Sequence, residues 1–411
     1  MNTNNKTNVL ILTLAFYALM PFFGFSSPYL FATIVLFGIL NFGVKVKNKM
    51  SMDGFNYFDK VLIKVYLVWQ IIIIARGLLT NFQSMAQISN IAILNQYSIL
   101  AMLLPVICIV RIEQFDLTYL IKILKFLATI SIVLVIINFD VLFKVDYSTL
   151  SSDESTAYAT LYGLQRPIAN LLELAAIGIF LPVFLRRKDW IFFVICGFLA
   201  LFISLYAARR GTSALWILLM ISGLFLYSNL KAKNKFLNYL LLTAATLCVY
   251  LYVSSNLGTT FSLLGERIDT DNRNGIELAF WADMSQSLDL LWGRGLNGTY
   301  FYPMQEGDNW VVNRTMIETG YCYLVLEGGL INLFLYCVIM IRAAFNGWYR
   351  SNNSFCKACS LFIVIYLLYL KPFGLPAFSL TYLFVWIGVN ACLTNFRRKS
   401  DIEVYNLLMK K

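Results

Sequence analysis

The stretch Arg186-RKDWIFFVICGFLALFISLYAARRGTSALWILLMISGLFLYSNLKA-Lys233 decides the fold. It holds two apolar runs, near 190–208 and 212–229, joined by Tyr206-Ala-Ala-Arg209-Arg210-Gly211-Thr212-Ser213 with almost no loop between them. An α-helix rises about 1.5 Å per residue, so roughly 20 apolar residues cross a hydrocarbon core of about 30 Å. Each run has about that length, and neither alternates polar with apolar residues as a barrel strand does. Basic residues crowd the far ends, at Arg186-Arg187-Lys188 and at Lys231 and Lys233. Positive charge favours the cytoplasmic side, so those ends belong inside and the Arg209-Arg210 turn belongs outside.

The same pattern extends outward in both directions. Further apolar runs lie near 8–25, 28–44, 61–80, 91–110, 118–139, 168–185, 236–254, 318–341, 355–371 and 375–395. The 411 residues are 59% hydrophobic and 13% charged, against about 45–50% and about 25% in a soluble domain. With lipid as solvent the backbone must satisfy itself within helices or a closed barrel, and run length selects helices. The expectation is a single integral membrane domain over 1–411, all-α and polytopic, with about twelve transmembrane helices. The 9–25 run reads as a retained first helix rather than a cleaved signal peptide.

Alternation from a cytoplasmic N-terminus puts Lys45, Lys47, Lys49, Arg111, Arg342, Arg350 and Arg397-Arg398-Lys399 inside, with both termini cytoplasmic. The net charge of +11 therefore marks inner loops, not nucleic-acid binding. Two outer loops are long, 140–167 and 255–317. The second is the one extended polar region, and its Trp281, Trp292 and Trp310 point to an ordered, partly helical segment. Most of the eight cysteines lie in apolar runs, and the lone pair Cys356–Cys359 is a weak metal or redox signal. Zero histidine removes the commonest general base and transition-metal ligand.

The outer basic residues differ in kind from the inner ones. They are Arg76, Lys144, Arg166, Arg209, Arg210, Arg267, Arg273, Arg294, Arg314 and Lys371, nearly all arginine, whereas lysine dominates inside. Orientation is indifferent to which residue carries the charge. Guanidinium is planar and grips phosphate through two parallel hydrogen bonds. The set therefore points to an anionic, phosphate-bearing ligand at the outer boundary; pairing with the many outer acids is the alternative. Arg209 and Arg210 are the sharpest case. Gly211 permits a tight turn, and a helix starting at Thr212-Ser213 would aim free amides and a positive dipole end at the same place. Snorkelling of both side chains is the alternative.

Gly293-Arg294-Gly295-Leu296-Asn297-Gly298 leaves backbone amides accessible, without the strand–helix–acid setting of a dinucleotide site. Glu318 opens an apolar run and is a candidate base toward a hydroxyl, or a cap or arginine partner. Glu327 and Glu173 are acids within spans and functional candidates for that reason. The aromatic residues of the large loop form an interface belt or stack on sugar rings.

Four motifs together resemble the O-antigen polymerase and ligase superfamily, in particular the Wzy-type polysaccharide repeat-unit polymerases. They are Gln165-Arg166-Pro167-Ile168-Ala169-Asn170, Ala208-Arg209-Arg210-Gly211-Thr212-Ser213-Ala214, Gly293-Arg294-Gly295 and Glu327-Gly328-Gly329-Leu330-Ile331. Ligase-type members carry a histidine–asparagine pair where this chain reads Glu318-Thr319, which favours the polymerase side. The resemblance implies a GT-C-like fold with one large periplasmic loop in a bacterial inner membrane. It implies a glycosyltransferase that joins oligosaccharide repeats carried on undecaprenyl pyrophosphate, building O-antigen or a related surface polysaccharide. Arg209, Arg210 and Glu318 would be catalytic; Arg166, Arg267, Arg273, Arg294 and Tyr321 would bind substrate. Arginine would neutralise the leaving diphosphate, so no metal or other cofactor is expected. Partners would be the bilayer, the lipid-linked glycan, a chain-length regulator and a flippase. A flippase for lipid-linked oligosaccharide is the competing reading; it would show charges in a central cavity and two related halves.

Overall fold

The computed structural model describes residues 5–22, 52, 54–82, 99–144, 161–207, 209–230, 273–306, 309–372 and 374–409. In chain order these form α1 (Asn5–Leu19), α2 (Tyr57–Thr80), α3 (Ile99–Leu103) with a 3-10 turn (Leu104–Ile109), α4 (Leu117–Ile137) and α5 (Phe139–Lys144). Next come α6 (Arg166–Glu173), α7 (Ala175–Ile179), α8 (Arg187–Tyr206), α9 (Arg210–Leu230), α10 (Arg273–Met284) and α11 (Asp289–Trp292). The hairpin β1 (Tyr300–Glu306) and β2 (Asn309–Arg314) precedes α12 (Gly320–Tyr349), α13 (Ser354–Tyr369), α14 (Leu380–Leu393) and α15 (Asp401–Leu408).

Among the described residues, five helices (α2, α4, α8, α9 and α12) are long and apolar enough to cross a membrane. Their outward faces carry bare apolar side chains, such as Val68, Ile71 and Ile72 on α2 and Phe126, Val133 and Ile136 on α4. Such faces suit lipid, not water. The fold is that of a mostly helical membrane protein, and the two-stranded hairpin is an element that the apolar pattern does not announce.

Proline reshapes two expected spans. Near 91–110 the helix gives way to 3-10 geometry at Leu104, with Pro105 in its first turn. Proline has no amide hydrogen and disfavours α geometry in the residue before it. The 168–185 run is not one helix: α6 ends at Glu173, α7 ends at Ile179, and turns lead past Pro182 to α8. Its irregular backbone is tolerable because 167–169, 171–172 and 174–181 are buried in protein. The spans expected near 28–44 and 236–254 lie outside the described residues, as does most of the 140–167 loop.

The chain divides into two compact units, the first comprising Met1–Leu14, Phe25–Phe115 and Asn272–Val404, the second Ala15–Gly24, Asp116–Asp271 and Tyr405–Lys411. In the first, α12 packs against α2, α11, α13 and α14. The helices α2 and α12 run antiparallel: Asp59 near the start of α2 pairs with Arg342 near the end of α12, while Trp69 further along α2 donates to the Gly328 carbonyl at 3.0 Å. Between them Tyr66 stacks on Trp386 at 5.7 Å, and the Gln70 amide donates to Asn332 at 2.8 Å.

In the second unit α8 packs against α9, α7 and α6. Trp190 donates to the Ile179 carbonyl at 3.0 Å and stacks on Tyr227 at 4.0 Å. Lys125 of α4 pairs with Asp189 of α8 at 2.7 Å.

Candidate functional site

The first unit gathers its polar chemistry where α12 breaks. Gly329 sits at φ 70°, ψ −176° inside the helix, and Gly293 sits at φ 72°, ψ −177° in the facing loop. Only glycine enters that backbone region readily. The two glycines interlock, since a Cβ on Gly329 would strike the Leu291 carbonyl and one on Gly293 would strike the Glu327 carbonyl. The break turns helix carbonyls toward outside donors: Arg294 N bonds Leu326 O at 2.7 Å and Gly295 N bonds Glu327 O at 2.8 Å. Leu296 N bonds Ile73 O of α2 at 3.2 Å. The Asn81 amide closes the loop on the Arg294 and Leu296 carbonyls at 2.9 and 2.8 Å. The glycine-rich stretch read as accessible amides therefore spends two of them on α12.

Four charges brace this clasp. Arg294 reaches Asp283 at 2.6 Å and Asp289 at 3.1 Å, and donates to the Thr299 carbonyl at 2.6 Å. Arg76 meets the other oxygen of Asp289 at 3.1 Å. Asp283 also accepts the Phe301 amide at 3.0 Å, anchoring the hairpin. Arg294 is thus engaged by carboxylates and a carbonyl, which is the acid-pairing alternative for an outer arginine.

A second cluster sits at the mouth of α12. Glu277 on α10 accepts the Thr319 hydroxyl at 2.5 Å and the Tyr321 hydroxyl at 2.7 Å, one on each carboxylate oxygen. Trp281, one turn along α10, lies over Tyr321 with ring centroids 6.5 Å apart and planes 17° apart. Glu277, Phe280 and Met284 share one helical face, and Phe280 and Met284 are fully buried. They join Tyr300, Ile317 and Cys322 in an apolar core that fixes α10 against α12. Arg314 on β2 lies over the Tyr302 ring at 5.8 Å. Burial pushes the Tyr300 phenol up, against the pull of Arg314, so it remains a neutral donor, 3.4 Å from the Met316 carbonyl. The arrangement offers an acceptor carboxylate, two hydroxyls, aromatic faces and a guanidinium within one folded segment.

The structure distributes the sequence-predicted residues unevenly. Tyr321 joins Glu277, whereas Glu318 is exposed and the Thr319 beside it takes the buried position. Glu327 is 4% exposed beside the break, and its Oε1 has no hydrogen-bond partner among the described residues. Arg273 is the first residue of α10; Arg267 lies outside the described residues. Arg166, Arg209 and Arg210 belong to the second unit. Arg166 is half-buried at the start of α6, directly after the π-helical turn Leu161–Gln165. Arg209 is half-buried and Arg210 exposed. The Arg209 amide bonds the Ser204 carbonyl at 2.9 Å, and its own carbonyl accepts the Ser213 amide at 2.9 Å. The following helix begins at Arg210, not at Thr212, so Gly211 lies in its first turn.

Glu277, Asp283 and Asp289 are the residues sequence reasoning missed. The usable signal was an acid in helical register with two large apolar residues in an otherwise polar loop. No protein-family model, curated protein or solved structure matches this chain.

Proposed function

We propose that this chain is a Wzy-type polysaccharide polymerase of a bacterial inner membrane, GT-C-like, with about twelve spans and its chemistry on the periplasmic side. The observation that carries the reading is the Glu277 group: a carboxylate held by Thr319 and Tyr321 at the head of a membrane helix, flanked by Trp281. Carboxylates accept sugar hydroxyls and aromatic faces stack on sugar rings. In the reaction a hydroxyl oxygen of one lipid-linked repeat bonds to the anomeric carbon of the growing glycan. The bond from that carbon to the undecaprenyl pyrophosphate oxygen breaks, and the lipid diphosphate leaves with the electron pair. The hydroxyl proton passes to a carboxylate base.

Glu277 is the proposed base, in place of Glu318. In the second unit, taken by itself, Arg166, Arg209 and Arg210 are candidates for holding a diphosphate, whose charge guanidinium neutralises. Arg294 is assigned to the scaffold, since carboxylates already hold it.

The test is the gel profile of surface glycan from a strain lacking the protein and from strains expressing variants. The deletion is expected to leave single-repeat glycan, and Glu277→Gln to do the same while Glu318→Gln keeps long polymer. Loss of every lipid-linked repeat from the outer leaflet would make the protein a flippase instead. Arg210→Lys keeps charge but loses the two-pronged grip, and is expected to shorten the polymer.

A further inference from the structure

The hydrogen bonds at the break of α12 set the depth of the facing loop. Take the Asp59–Arg342 pair as one reference level, at or outside the hydrocarbon edge as an ion pair should be. At ~1.5 Å per residue, Ile73 on α2 and Gly329 on α12 both lie about 20 Å from it. These two positions receive the loop, through Leu296 N to Ile73 O and through the Leu291 carbonyl against Gly329. With a hydrocarbon core about 30 Å thick, the contact lies at least about 10 Å below the opposite surface. Trp292 lies deeper still along α2, its ring 5.5 Å from that of Trp69.

Irregular backbone survives at that depth only when its polar groups are satisfied within protein. Here they are: the amides of Arg294, Gly295 and Leu296 bond helix carbonyls, and Arg76, Arg294, Asp283 and Asp289 neutralise one another. The other face is apolar and bare. Leu288 is 72% exposed, Leu291 45% and Trp292 49%, and the spacing 288, 291, 292 puts all three on one side of the helical turn. Ile72 of α2, next to Ile73, and Leu330 and Phe334 of α12, just past Gly329, are exposed apolar residues as well.

We propose that 288–296 is a re-entrant segment. It dips into the leaflet on its own side of the membrane, clasps the break in α12, and presents Leu288, Leu291 and Trp292 to the acyl chains of that leaflet. This placement rests on α2 and α12 crossing the bilayer and holds whether or not the chain is a polymerase.

The experiment uses the full-length protein in nanodiscs of palmitoyl-oleoyl phosphatidylcholine. A benzophenone amino acid replaces Leu291, Leu288, Val68 of α2 or Thr315 beyond the hairpin, one at a time. On illumination, positions 291 and 288 are expected to form phospholipid adducts, as position 68 does, detected as a mass increase on the peptide. Position 315 is expected to form none. If 291 and 288 behave like 315, the proposal is overturned. Hydroxyl-radical footprinting of the unaltered chain gives an independent reading. Leu291 and Trp292 are expected to be protected relative to the exposed Phe301 and Val312, and oxidation equal to those two overturns the re-entrant placement.

Discussion

The two ends of the α2–α12 pair solve the same problem differently. At one end most polar groups close on near neighbours, although Asp59 Oδ2 and Asn346 Nδ2 are buried without a hydrogen-bond partner among the described residues. Asp59 is fully buried against Arg342, Phe55 bridges Thr394, and Asn395 N bonds Gly54 O at 2.8 Å. Asn353 donates to the carbonyls of Phe396, Arg397 and Lys399, and Asp401 caps Ser354 at 2.6 and 2.9 Å. At the other end four charges brace an irregular clasp, and a carboxylate is held through hydroxyls. The second end keeps two glycines in a glycine-only conformation and a polar mouth, and the proposed chemistry is placed there.

The largest expected effect lies at the break. Gly329→Ala forces a side chain into a glycine-only conformation and onto the Leu291 carbonyl, and should cost roughly 3 kcal/mol or more. Thermal unfolding in nanodiscs measures this; wild-type stability would mean that the clasp is not rigid. At the opposite end Asp59→Asn should cost about 2 kcal/mol, between the limits for exposed and buried pairs, because Arg342 retains a 33% exposed side chain. On the polymerase proposal it should, unlike a variant at the mouth, leave polymer length unchanged in surviving protein.

Tyr321→Phe removes one of the two donors to Glu277 and should cost about 1 kcal/mol. If the mouth is the reactive end, polymer length falls more than stability does, and equal losses would reduce Tyr321 to a structural contact. The smallest effect is at α15. The Ser400 backbone amide and hydroxyl hold the Glu403 carboxyl below its usual range, closing a capping box in which Ser400 N bonds Glu403 at 2.7 Å. A depressed value means stability present above the unfolded pKa of about 4.3, and lost as pH falls through the folded value. The protection factor of the α15 amides, which is observed exchange corrected for the intrinsic rate at each pH, should therefore fall on acidification below about pH 4.3, and Glu403→Ala should abolish that dependence.

What was legible in the sequence follows from length and charge. Runs such as 190–208 and 212–229 became α8 and α9 because hydrocarbon thickness fixes helix length. Arg76 and the 255–317 loop, both assigned to the outer side, do meet, at Asp289. The hairpin was hidden because its pairing, such as Tyr300 with Arg314, is set by register across a turn and not by an apolar period. The clasp was hidden because Gly293-Arg294-Gly295 looks like a ligand loop in isolation; its partner carbonyls exist only once α12 breaks. Glu277 was hidden because its partners, Thr319 and Tyr321, lie 42 and 44 residues away.

The Trp69–Gly328 hydrogen bond spans 259 residues of chain. Synthesis proceeds from the N-terminus, so α2 is inserted long before its mate has left the ribosome. For most of translation the indole faces lipid or a provisional neighbour, and the final seat forms when one of the last helices arrives. Truncation anywhere ahead of residue 328 would therefore leave α2 with an unclaimed donor, a signal that membrane quality control can read.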